Sequence, residues 1–171
     1  MRMLMIYKVY DLATSSTLIL VAQQNPDARP DLAALMVPLG RSLIRAELPL
    51  LEAHGLSMWA YAVLTALRDN EASSQASLAS SIGADRTRII AVLDDLQDRK
   101  LINRQPDPSD RRSNLLSLTA GGRKTVTAVQ KAIRENEKRI LAGVSPADRD
   151  VFLRVLSHLA GLDDSGIDPR R

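Results

Sequence analysis

Residues 83–119 read GADRTRIIAVLDDLQDRKLINRQPDPSDRRSNLLSLT, and the rest of the chain is arranged around them. Ile89, Val92, Leu93 and Leu96 fall at i, i+3, i+4 and i+7, which predicts a helix with one buried stripe. Asp85 stands just ahead of it, where a carboxylate can accept from the unpaired amides of a first turn. Arg86, Thr87, Arg88, Ile90 and Ala91 remain at or near the exposed leading end. Beyond the helix, Leu101-Ile102 and Leu115–Leu118 enclose Asn103 to Asn114, a stretch with Pro106, Pro108 and the charged run Asp107 to Arg112. Apolar ends around a Pro/Asp-rich middle predict a hairpin with a long tip.

The side chains left over define a surface. A helix of this kind can enter a DNA major groove with its N-terminal residues against base edges, which nominates Arg86, Thr87, Arg88, Ile90 and Ala91. Asp110 precedes Arg112 by two residues, so in an extended segment both lie on one face and the carboxylate can orient the guanidinium. A projecting arginine suits the narrow minor groove, whose negative potential attracts it. Arg112, with Arg111 beside it, is the candidate contact, and Asp110 is the residue that orients it. Together these features describe a winged helix-turn-helix.

At this point the sequence resembles the MarR family of bacterial transcription regulators. The residues that carry the resemblance are Gly83, Asp94, Leu96, Leu101, the wing Asp107-Pro108-Ser109-Asp110-Arg111-Arg112, Leu118-Thr119, and Gly121 or Gly122. The wing signature is specific, and a looser match extends from about Asp31 to Leu162. One departure is Lys100, where the family usually has Gly just after the helix. If the backbone is left-handed there, a residue with a Cβ costs roughly 1 kcal/mol, which a domain tolerates.

Composition agrees with a helical protein. Hydrophobic residues make up 45% of the 171, charged residues 25% and aromatics only 3%, so Leu and Ala have to build the core. The absence of cysteine excludes disulfides, thiolate zinc sites and thiol redox sensing. His54 and His158, far apart in sequence, offer neither a metal site nor a nucleophile–base–orienter set, so no cofactor and no enzymatic activity are expected. A net charge of +3 permits nucleic-acid binding without demanding it. From Asp85 to Arg112 seven Lys and Arg oppose six Asp, so affinity would depend on where the cations point.

In chain order, residues 1–30 form an N-terminal extension that admits two readings, an extra helix or a disordered segment. Its apolar patch, Thr17 to Ala22, is too short to span a bilayer, and no signal peptide is read there. Residues 31–54 predict a first main helix capped by Asp31, with Leu32, Leu35, Leu39, Leu43 and Leu50 along one side. Pro38 and Pro49 should bend it and Gly55 stop it. Within 55–119, Ser57 caps a helix carrying the helically spaced Tyr61, Leu64 and Leu67, and the resemblance implies that Tyr61 is a core aromatic. Residues 73–83 then form a short positioning helix that ends in a turn at Gly83. Residues 120–162 supply two more helices, capped by Thr119 and by Ser145-Pro146. Val126, Val129, Ile133 and Ile140 line the first, and Val151, Phe152, Val155, Leu156 and Leu159 the second. The tail 163–171 is polar.

The first helix and the last two are more apolar than a small DNA-binding core can cover, which assigns them to a symmetric dimer interface. The resemblance implies a cytoplasmic homodimeric regulator, a repressor in its simplest form, on a pseudo-palindromic operator. It also implies a small aromatic or phenolic effector between the dimer helices and the DNA-binding lobe. Arg41, Arg45, His54 and Trp59 are the candidate wall for such a ligand, since arginine and an aromatic ring suit a carboxylate or phenol. The competing reading is a winged-helix protein-interaction module without DNA binding, which would need no arginine projecting from its wing.

Overall fold

The computed structural model describes residues 31–69, 73–108 and 114–161, with backbone alone at Ser73, Arg86 and Arg88. The expectations for residues 1–30, for the tail and for Asp110, Arg111 and Arg112 therefore lie outside the described residues. The elements are α1 (Leu32–Glu52), α2 (Met58–Asp69), β1 (Ser73–Ser74), α3 (Gln75–Ile82), α4 (Arg86–Asp98), β2 (Ile102–Pro106), β3 (Asn114–Leu118), α5 (Ala120–Ile140) and α6 (Pro146–Leu159). The fold is mainly helical with a small antiparallel wing, as expected, and it is the winged helix-turn-helix. The described residues divide into two compact units within α5, one ending at Ala132 and the other starting at Ile133.

In the first unit, α2, α3, α4 and the sheet share one core. Leu51, Leu64, Leu67, Leu78, Ile82, Ile89, Leu93, Leu96, Ile102, Leu116 and Val126 are almost fully buried there. Burying each such side chain contributes about 1.5–3 kcal/mol, so aliphatic residues suffice without aromatic ones. Tyr61, expected as a core aromatic, is only half-buried. Its helix meets the core through Ala60, Ala62, Val63, Leu64 and Leu67, and the small alanines let neighbouring elements approach closely.

Caps start most helices as the sequence indicates. Ser57 Oγ accepts from the Ala60 amide at 3.1 Å, Asp85 Oδ1 from Thr87 at 2.8 Å, Thr119 Oγ1 from Gly122 at 2.9 Å, and Ser145 Oγ from Asp148 at 3.2 Å. Asp31 differs: it holds the N-cap position of α1 with an extended backbone, but its side chain makes no capping hydrogen bond. That end of the helix is exposed, so water can serve the first-turn amides. The leucine stripe of α1 is also not where its burial lies. Ile44 and Leu51 are the buried residues, whereas Leu32, Leu35 and Leu39 stay exposed, Leu32 at 62%. Pro38 and Pro49 are both accommodated inside the helix.

The sheet departs from expectation in two ways. Its order is β1-β3-β2, so the wing hairpin gains a third strand from Ser73 and Ser74, which pair with Leu116 and Leu115. Those two serines were expected to begin the positioning helix; Ser74 instead caps it, accepting from Ser77 at 3.1 Å. The second departure is that β2 extends through Asn103–Pro106, residues expected in the charged tip, in register from Ile102↔Leu118 to Pro106↔Asn114. Polar residues pair readily on a solvent-facing edge, and proline is permitted at a strand end.

In the second unit, α6 buries none of its residues. Val151, Phe152, Val155 and Leu159 of its expected apolar line are exposed, as is Ile140 at the end of α5. A short 3-10 turn, Leu141–Gly143, closes α5. No helix among the described residues is long and apolar enough to cross a membrane.

Candidate nucleic-acid interface

Two left-handed turns hold the ends of α4. Gly83, φ 63°, closes α3, and its amide and that of Ala84 bond back to Ser80 and Ala79. Lys100, φ 56°, closes α4 and is the one non-glycine residue with positive φ among those described. This is the left-handed site anticipated at the family's usual glycine.

From that turn the chain is clasped to the start of α5. The Thr119 amide donates to Leu101 O at 3.1 Å, and Thr119 Oγ1 lies 2.8 Å from Lys100 O and 3.1 Å from Leu101 O. The approach is so close that a Cβ on Gly122 would stand 2.0 Å from the Leu101 carbonyl oxygen, whereas one on Gly121 would meet nothing nearer than 3.5 Å. Of the two glycines that could fill the motif, Gly122 is the one the backbone requires.

The stripe of α4 is buried as expected at Ile89, Leu93 and Leu96, with Val92 half-buried. Thr87, Ile90 and Ala91 are exposed, Ile90 at 45%. Arg86 and Arg88 are placed in the first turn by their backbone.

The carboxylates along α4 have internal tasks. Asp85 caps the helix, and Asp94 Oδ1 accepts from Arg104 Nη2 of β2 at 2.7 Å. Asp95 Oδ2 accepts from Arg99 Nη1 at 3.1 Å, and the same nitrogen donates to Gly55 O at 2.9 Å, in the turn that follows α1. Arg99 and Arg104 are thus structural ties, and the near-neutral count of this region conceals acids and bases that neutralise each other. Sequence reading assigned neither arginine a role. Asp95 and Arg99 were findable as an i, i+4 pair; Asp94 and Arg104 meet only because β2 folds back along α4.

Of the candidate ligand wall, Arg41 is half-buried and Arg45 exposed on α1, His54 is exposed in the following turn, and Trp59 is half-buried in the first turn of α2. Among the described residues no cluster of His, Asp or Glu could hold a metal.

A short helix capped into a tight turn, a second helix with an unburied leading edge, and a three-stranded wing define a winged-helix protein. The chain matches the MarR family model over residues 56–113. It is 29% identical over 105 residues to a protein of Thauera aromatica named as a transcriptional regulatory protein for the hcr operon, covering 61% of this chain and 63% of that one. Identity is also 29% over 105 residues with the HTH-type transcriptional repressor NicR of Pseudomonas putida, covering 61% and 66%. The chain thus spans just under two thirds of the length of these relatives. Among solved structures it is similar to the transcriptional repressor CouR bound to a 23-mer DNA duplex, with TM-score 0.66 and 29% identity over 76% of this chain and 92% of that one. CouR from Rhodococcus jostii RHA1 bound to p-coumaroyl-CoA matches with TM-score 0.63 and 26% identity, covering 78% and 94%.

Proposed function

We propose that the chain is a cytoplasmic, homodimeric, DNA-binding transcription repressor that binds a pseudo-palindromic operator and is released by a small aromatic or phenolic effector. The leading edge of α4 carries this reading: Thr87, Ile90 and Ala91 are exposed while Asp85, Asp94 and Asp95 are occupied by a helix cap and two arginines. In the proposed complex Arg86, Thr87, Arg88, Ile90 and Ala91 enter the major groove. Arg112, oriented by Asp110 and flanked by Arg111, enters the minor groove. Residues 55–119 are the DNA-binding lobe, and 31–54 and 120–162 supply the dimer interface, in keeping with the apolar side chains that α1 and α6 leave exposed. The DNA-bound state of CouR supports the partner, and its p-coumaroyl-CoA complex supports an aromatic effector class. For this chain Arg41, Arg45, His54 and Trp59 are proposed as the effector wall.

Selecting duplexes from a random-core library with the full chain tests the reading. The expected result is an enriched inverted repeat, bound by wild type and released by one or more small aromatic acids or thioesters. Failure to enrich any sequence would favour the protein-interaction module instead. If an effector released DNA equally well from wild type and from an Arg45→Ala, Trp59→Leu double variant, the proposed wall would be excluded.

A further inference from the structure

We propose that Ile90, with Thr87 and Ala91 beside it, reads the 5-methyl group of a thymine, so that each operator half-site carries a thymine facing the middle of α4. This rests on the DNA-binding reading and adds the base that it selects.

The starting observation is an unexplained exposure. Between Leu56 and Ala132, Ile90 is the one large apolar side chain left exposed among the described residues, at 45%. Its neighbours Ile89 and Leu93 are buried. In the free chain Ile90 is a poor choice for this position, because a β-branched residue has a lower helix propensity than alanine and nearly half of its surface stays in water.

Helical geometry gives the exposed residue its company. At 3.6 residues per turn, Thr87, Ile90, Ala91 and Asp94 share the side of α4 away from the Ile89–Leu93–Leu96 stripe. Thr87 and Ala91 are exposed, and each carries a methyl group on this side of the helix. The patch is bounded ahead by the Asp85 cap and behind by Asp94, whose carboxylate is held by Arg104.

The chemistry then narrows the partner. From Arg86 to Asp94 there is no Asn or Gln, so the bidentate reading of adenine is not available from this stretch. Arginine suits guanine, and the apolar feature that a base pair offers in the major groove is the thymine methyl, which cytosine lacks.

The test uses a duplex selected from the random-core library, resynthesised with each thymine singly replaced by 2′-deoxyuridine, which removes one methyl group and leaves base pairing intact. Wild type should lose about fourfold in affinity at one position in each half-site, the factor for one buried methyl-sized group. Ile90→Ala should bind the thymine and uracil duplexes equally there, and Ile90→Val should retain part of the ratio. Sequence-selective binding indifferent to every uracil would overturn the inference and leave the DNA-binding reading standing. An undiminished thymine preference in Ile90→Ala would do the same. A chain that binds no duplex would overturn that reading, and this inference with it.

Discussion

At the scale of single residues, backbone proximity makes the sharpest demand. Gly122 lies against the Leu101 carbonyl, where a Cβ has 2.0 Å of room, and the neighbour is backbone that cannot rotate away. Gly122→Ala should therefore lower stability by about 3 kcal/mol in urea denaturation, while Gly121→Ala stays within about 0.5 kcal/mol of wild type. Equal effects would mean the clasp at Thr119 is looser than its hydrogen bonds indicate. The arginines make a different kind of demand, felt only with DNA present. Arg112→Ala should weaken binding to all operators and reduce the slope of log affinity against log salt by about one unit. Arg88→Ala should instead relax preference at one position per half-site by about 1–3 kcal/mol. An Arg112 variant with unchanged salt dependence would remove the wing from the mechanism.

At the scale of elements, the aim of α4 depends on ties at its flank and its end. Arg104 holds Asp94 from β2, and Arg99 joins Asp95 to the Gly55 carbonyl. Asp94 is 53% exposed, so solvent screens the pair and its contribution to stability is small. A double-mutant cycle with Asp94→Ala and Arg104→Ala should give a coupling of about 0.5–1 kcal/mol that shrinks as salt is raised. A coupling of zero at low salt would show that strand pairing alone positions the helix against the wing.

At the scale of the whole molecule, the exposed apolar residues matter most. Leu32, Leu35, Met36 and Leu39 of α1, and Val151, Phe152, Leu153, Val155 and Leu159 of α6, are exposed in the isolated chain. Large apolar patches of this kind mark interaction surfaces, and a two-fold dimer would cover them. Sedimentation equilibrium should show a dimer, and Phe152→Asp with Val155→Asp should convert it towards monomer. Half-site centres should then lie about 10 bp apart, and inserting about five base pairs between them should abolish simultaneous engagement, since it turns the sites to opposite faces. Binding that tolerates the insertion would exclude a rigid dimer as the binding unit.

The helices, most of their caps and the wing hairpin were legible in the chain itself, because they depend on local chemistry: the period of Ile89, Leu93 and Leu96, and the oxygens of Ser57, Asp85, Thr119 and Ser145. The leading edge of α4 was legible for the same reason, as what remains once the buried stripe is removed. Contacts between elements were not. The pairing of Ser73 and Ser74 with β3, the extension of β2 to Pro106, the choice of Gly122 over Gly121, and the meeting of Asp94 with Arg104 all depend on separations closed only by folding. Periodicity reports which face of a helix is apolar; only the packed structure decides whether that face is covered within the chain, as at Leu93, or left open, as at Leu32 and Ile90.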